Sequence, residues 1–242
     1  MMVNWKWAGG ALLALLATAS HAGIPIQEKQ TCPVGGQKFE TTGTVSCTTY
    51  GGARDFFLKA ESSCDFVTRL PQCPDNKLPL YKSFSNDEVK LLDGYLASEE
   101  YLSIEGRSRY YIAKKVDDFL VGKGSPRVMD FSYLLGGLQN DRDQTEGDSE
   151  YRQWVMDAGT AELGKADPGD APYIRMLMAY TAYLGGQFEQ STLLLDAVKG
   201  DAAGKESPLA KAYVARVERC VQAKDVSLCP STDYVMPQDQ RR

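Results

Sequence analysis

"APYIRMLMAYTAYLGGQFEQSTLLLDAV", residues 171–198, sets the fold class. Tyr173, Leu177, Tyr180 and Leu184 follow at four- and three-residue intervals, which stacks them on one face of an α-helix. Gly185 and Gly186 break the pattern, and Phe188, Leu195 and Val198 resume it. Two amphipathic helices joined by so short a turn fold back as an antiparallel hairpin. The "DAP" from Asp170 supports a start there, because proline is harmless in the first helical turn.

The same punctuation extends outward. "SNDE" at 85–88 fits a capping box, with Ser85 as N-cap and Glu88 reaching back to its amide. Ser125 and Ser207 each precede a proline and read as N-caps. Stops fall at "GKG" (122–124), "GG" (136–137), "GKADPGD" (164–170) and "GG" (185–186). These signals predict seven helices, near 86–103, 107–121, 126–139, 149–165, 171–185, 188–199 and 208–223. Apolar stripes such as Ile112, Val116, Phe119 and Leu120, or Leu209, Tyr213, Val217 and Cys220, give several of them one buried face. Residues 85–223 therefore read as a domain of stacked helical hairpins, followed by a tail at 224–242.

Composition changes before residue 85. Residues 23–84 hold four of the six cysteines, many small and turn-forming residues, and strand-like pieces such as "TTGTVSCTTY" (41–50) and "CDFVTRL" (64–70). The expected class is mainly α, with a small disulfide-rich, strand-containing N-terminal segment. Residues 1–22 have the layout of a secretory signal peptide: Lys6, the short apolar "AGGALLALLATA", then small residues up to Ala22. That run is too short to span a bilayer, which takes about 20 apolar residues. The expectation is a periplasmic or secreted chain with no membrane span after cleavage.

Export has chemical consequences. The one histidine, His21, leaves with the leader, so Ser-His and Cys-His nucleophiles and HExxH-type zinc chemistry are unavailable to the mature chain. Net charge is −5, and −6 once Lys6 is lost, because residues 1–22 contain no acid. A mildly acidic chain without a basic run is unsuited to nucleic acid, whose phosphates must be neutralised. The densest basic stretch, "EGRSRYYIAKK" (105–115), interleaves Arg107, Arg109, Lys114 and Lys115 with Tyr110 and Tyr111, either as a solvated helix face or as a partner site.

Three functional classes follow. A non-catalytic interaction or scaffold module would bind a protein or peptide of the cell envelope, with Tyr101, Arg107, Arg109, Tyr110, Tyr111, Tyr180 and Tyr183 as contact candidates. A carboxylate-based enzyme would use "QNDRDQTEGDSE" (139–150), which otherwise reads as a solvated loop between helices. A calcium site in that loop would begin at Asp141 and Asp143, but Glu146 stands at the glycine position and Arg152 at the closing glutamate. No catalytic residue, resident metal or cofactor is assigned.

The hairpin at 171–198 resembles a tetratricopeptide repeat: Ala179 is small where helices approach, Gly186 turns and Phe188 anchors the second helix, although Arg175 replaces the usual tryptophan. "SYLLGGLQ" from 132 and "AYLGGQFE" from 182 form a weak internal repeat. With "CPVGGQKFE" (32–40) and "CPDNKLPLYK" (73–82), the chain resembles an uncharacterised bacterial family that joins a zinc ribbon to TPR-like helices. Family knuckles carry two cysteines separated by two residues. Here Gly35 and Asn76 replace the second of each pair, so zinc is not carried over. The resemblance implies that Cys32 and Cys73, brought together by the two knuckles, form a disulfide in its place. Cys47–Cys64 and Cys220–Cys229 complete that scheme, one of 15 connectivities open to six cysteines.

Overall fold

The computed structural model describes residues 23–64 and 70–235. The expected signal peptide and most of "CDFVTRL" lie outside the described residues. The chain is mainly helical with two small antiparallel sheets. Strands β1 (Pro25–Thr31) and β2 (Lys38–Thr44) form one ribbon, and β3 (Thr49–Arg54) and β4 (Ala60–Ser62) form the other. Ten helices follow among the described residues. They are α1 (Asn86–Leu96), α2 (Glu99–Leu102), α3 (Arg109–Val121), α4 (Phe131–Asn140), α5 (Arg142–Thr145), α6 (Ser149–Leu163), α7 (Ala171–Leu184), α8 (Phe188–Gly200), α9 (Ala202–Glu206) and α10 (Pro208–Ala223). They stack largely in chain order, α3 on α4, α4 on α6, α6 on α7, and α7 on both α8 and α10.

Several starts follow local chemistry. Ser85 and Glu88 make the reciprocal capping box of α1, and Ser207 caps α10 ahead of Pro208. Three expectations need correction. The helix expected over 86–103 breaks at Ala97 because Ser98 caps a second start, its side chain accepting from the Tyr101 amide. Ser125 is not an N-cap, and the helix expected from 126 begins at Phe131 under Asp130. Buried Asp117 is the cause: its carboxylate accepts the amides of Val128 and Met129, each at 3.1 Å, and holds that segment out of a helix.

The third correction concerns glycine. Gly136 and Gly137 lie inside α4 and do not end it. A Cβ on Gly137 would sit 2.7 Å from Tyr151 Cζ and 2.9 Å from Tyr110 Cβ, so this pair makes room for tyrosines of α6 and α3. Gly186, by contrast, has φ +71° and turns the chain between α7 and α8. The two "GG" sites of the weak repeat thus do different things.

Three disulfides are present: Cys32–Cys73, Cys47–Cys64 and Cys220–Cys229, with Cα atoms 5.7, 5.5 and 6.1 Å apart. The first joins two turns of one form. In each the cysteine amide donates to a carbonyl five residues on, Cys32 to Gln37 at 2.8 Å and Cys73 to Leu78 at 3.0 Å. Asn76 Nδ2 then donates to Val34 O at 3.2 Å, so side-chain amides and a disulfide knit the turns together.

The described residues of 23–84 share their core with the helices. Buried Cys32, Val34, Phe56, Phe57 and Cys73 belong to one apolar cluster with the helices. The turn after β3 inserts Phe56 against Tyr180 of α7, rings stacked 4.6 Å apart, and Phe57 packs edge-on to the same ring at 5.2 Å. Tyr213 of α10 donates to Phe56 O at 2.8 Å. The tail returns to this point, with Val235 N donating to Arg54 O at 2.8 Å.

Candidate functional site

A cleft of about 1170 Å³ opens between the β1–β2 ribbon and the helices. Its near wall is β2 from Phe39 to Thr44, whereas β1 contributes only Glu28. Six consecutive β2 residues, Phe39 to Thr44, line it from both faces of the strand, so the cleft runs along the outer edge of β2. The register decides which backbone groups line that edge. Cys32 N bonds to Gln37 O, and Val45 N to Ile24 O, at the two ends of the ladder. Antiparallel pairing alternates, so Phe39, Thr41 and Gly43 spend their amides on β1, as Val45 does on Ile24. Glu40 and Thr42 therefore turn their N–H and C=O groups outward, and β2 has no second strand partner among the described residues.

The far wall comes from the second knuckle and the helices: Leu70, Gln72 and Lys77, with Arg109 and Tyr110 of α3 and Asn140 of α4. Arg109 Nη1 donates to Leu70 O at 2.8 Å, and Gln72 Nε2 to Lys77 O at 2.7 Å, which steadies this wall. Burial pushes the Tyr110 phenol up, partly offset by its hydrogen bond with Asn140. Acidic and basic groups balance, Glu28 and Glu40 against Lys77 and Arg109. Glu28 pairs with Thr41, one residue from Glu40, so the two carboxylates stand on opposite faces of the ribbon. They do not converge as an acid–base pair. The cleft offers hydrogen-bonding groups along an extended line.

Of the contact candidates, Arg109 and Tyr110 line this cleft. The remaining tyrosines are packed inside. Tyr101 donates to Asn76 O at 2.9 Å, Tyr180 to Cys229 O at 2.6 Å and Tyr183 to Asp225 O at 2.6 Å, all three rings fully buried. Their hydroxyls tie the knuckle and the tail to the helices. Tyr111 is also buried, with the Arg107 guanidinium 3.8 Å above its ring and its hydroxyl 2.6 Å from Glu150 Oε2. Arg107 pairs with Asp148, and Lys115 with Glu150 at 2.9 Å, so this basic stretch latches α3 to the start of α6.

The acidic stretch 139–150 is not a solvated loop. It contains α4's end and α5, and several of its polar groups are used internally. Asp141 is buried and accepts from Ser108 Oγ at 2.6 Å, Asp148 caps α6, and Arg142 pairs with Asp55. Burial pushes the Glu146 carboxyl up, against the pull of Ser231 and Arg142. No group of three or more potential metal ligands occurs among the described residues. Sequence reasoning missed Phe39, Thr41 and Thr42, because alternation marks a strand without saying which of its edges remains open. The chain matches no protein-family model, no curated protein and no solved structure.

Proposed function

We propose that this chain is an exported, non-catalytic interaction module of the cell envelope, which holds an extended peptide segment by strand addition to β2. One observation carries the reading: the outward backbone groups of Glu40 and Thr42 border a cleft with a polar far wall. Strand addition takes affinity from main-chain hydrogen bonds, which needs no charge excess in the cleft. Three disulfides suit an oxidising compartment, and no helix among the described residues is long and apolar enough to cross a membrane. The two matching knuckle turns support descent from a zinc-ribbon segment joined to TPR-like helices, with a disulfide in place of the metal.

The test uses proline at two neighbouring positions. Thr42→Pro removes an outward amide and leaves the β1–β2 ladder, whereas Thr41→Pro removes an amide that bonds to Glu28. Peptides selected from a random display library against the full chain should protect the Glu40 and Thr42 amides from hydrogen exchange. Thr42→Pro should weaken their binding by roughly tenfold or more while the ribbon persists, the expected loss of one main-chain hydrogen bond and close approach. Selection of no peptide, or protection confined to other surfaces, would overturn the reading.

A further inference from the structure

A second surface, independent of the cleft, lies at the C-terminal end of the helical stack. Helices α8, α9 and α10 enclose a groove of about 270 Å³ whose floor is Val198, Ala210 and Val214. Buried Gly204 lets α9 lie close on α8, since a Cβ there would collide with the Val198 carbonyl. Lys199, Lys205 and Lys211 stand on the rim. Lys199 is paired with Asp196 and Glu218, but Lys205 and Lys211 are exposed and have no ion-pair partner among the described residues. An apolar floor beneath two uncompensated cations, on a chain of net charge −5, asks for an apolar side chain flanked by acids.

The chain carries such a knob at the other end of its stack. In the one-turn helix α2, Leu102 is 52 % exposed, and Glu99 and Glu105 flank it three residues to either side. Neither glutamate has an ion-pair partner among the described residues. The knob is firmly held, because neighbouring Tyr101 is fully buried and bonded to Asn76 O. Leu193 is more exposed at 71 %, but of its two acidic neighbours, Glu189 and Asp196, the second is already engaged by Lys199.

We propose that a second copy of this chain occupies the groove, with Leu102 on the apolar floor and Glu99 and Glu105 facing Lys205 and Lys211. Knob and groove are different patches, so the contact is head-to-tail and extends into rings or filaments. The contact is small, which places it among transient interfaces that strengthen with concentration and weaken with salt.

Charge exchange tests it. Sedimentation velocity of the processed full chain at low salt should show mass rising with concentration. Lys205→Glu with Lys211→Glu, and separately Glu99→Lys with Glu105→Lys, should each weaken association about tenfold or more, as like charges then face each other. An equimolar mixture of the two variants should restore assembly, because every contact again joins opposite charges. All four positions are solvent-accessible, and circular dichroism checks that each variant folds. The proposal is overturned by a wild-type chain that stays monomeric, by charge variants that associate as before, or by a mixture that does not recover. Assembly that survives Leu102→Asp and is lost in Leu193→Asp also overturns it.

Discussion

Replacing Asp117 with alanine should destabilise the fold by about 3–5 kcal/mol, through a carboxylate that never meets a substrate. Asp117 is completely buried on α3. It accepts the Val128 and Met129 amides at 3.1 Å, lies 3.5 Å from the Tyr81 hydroxyl, and is 3.4 Å from Arg127 Nη1. Truncation leaves the Met129 amide, on a residue 1 % exposed, without an acceptor, and an unmet buried donor costs about 1–3 kcal/mol. The Val128 amide and Tyr81 hydroxyl lose partners in partly or fully buried surroundings and add similar amounts. Arg127 contributes little, because its side chain is 46 % exposed and can return to water. Asp118→Ala is the control: that carboxylate is 39 % exposed and pairs with Lys114 and Arg127, so its loss should cost under about 1 kcal/mol. Urea unfolding followed by circular dichroism measures both. An Asp117→Ala variant within about 1 kcal/mol of wild type would refute the assignment of this carboxylate as the acceptor that shapes residues 125–130.

Acid should act through Glu88. Burial opposes its ionisation, but the Lys82 and Ser85 hydrogen bonds outweigh that and bring its pKa from 4.5 to about 2. A depressed folded pKa stabilises above the unfolded value, so this contribution, up to about 3 kcal/mol, is complete above pH 4.5 and disappears as pH falls toward 2. Glu88→Gln should flatten that limb of a stability–pH curve; an unchanged limb would contradict the assignment. Gly137→Ala should cost about 2–4 kcal/mol by driving a methyl into Tyr151 and Tyr110, whereas Gly136→Ala, 3.4 Å from Tyr110 Cε1, should be neutral or slightly stabilising; thermal melts separate the two. Replacing Cys32 and Cys73 by alanine opens a loop of 41 residues and should cost about 4 kcal/mol, against about 2–3 kcal/mol for the 9-residue separation of Cys220 and Cys229. Equal losses in urea would argue against chain entropy as the source.

Much of the helical stack was legible in the residues themselves. Capping chemistry is local, so Ser85 with Glu88 and Ser207 with Pro208 announced α1 and α10 without any long-range information. The stripe picked out Leu177 and Tyr180, which are buried, together with Tyr173, which is exposed; periodicity does not say what covers a face. The five tyrosines considered as contacts illustrate the limit: enrichment at interfaces and packing in a core leave the same mark in a sequence. The hydroxyls of Tyr101, Tyr180 and Tyr183 reach carbonyls that are distant in the chain, such as Cys229 for Tyr180, 49 residues away. Of the cleft, Arg109 and Tyr110 stood out beforehand for a different reason, the density of the basic stretch, and Cys73 as a knuckle cysteine.

By itself the sequence determined the mainly helical class, the strand-bearing start and the position of the hairpin turn at Gly186, because each rests on contacts within a few residues. Tertiary structure decided what those elements meet. It selected one of the 15 possible cysteine pairings and placed Phe56 and Phe57 in the helical core. It also gave Asp141 and Glu150 of the acidic stretch donors elsewhere in the fold, Ser108 and Tyr111. The open edge of β2 belongs to the same category. A strand's alternation is fixed by its residues, but the edge left unpaired depends on where every other segment has gone.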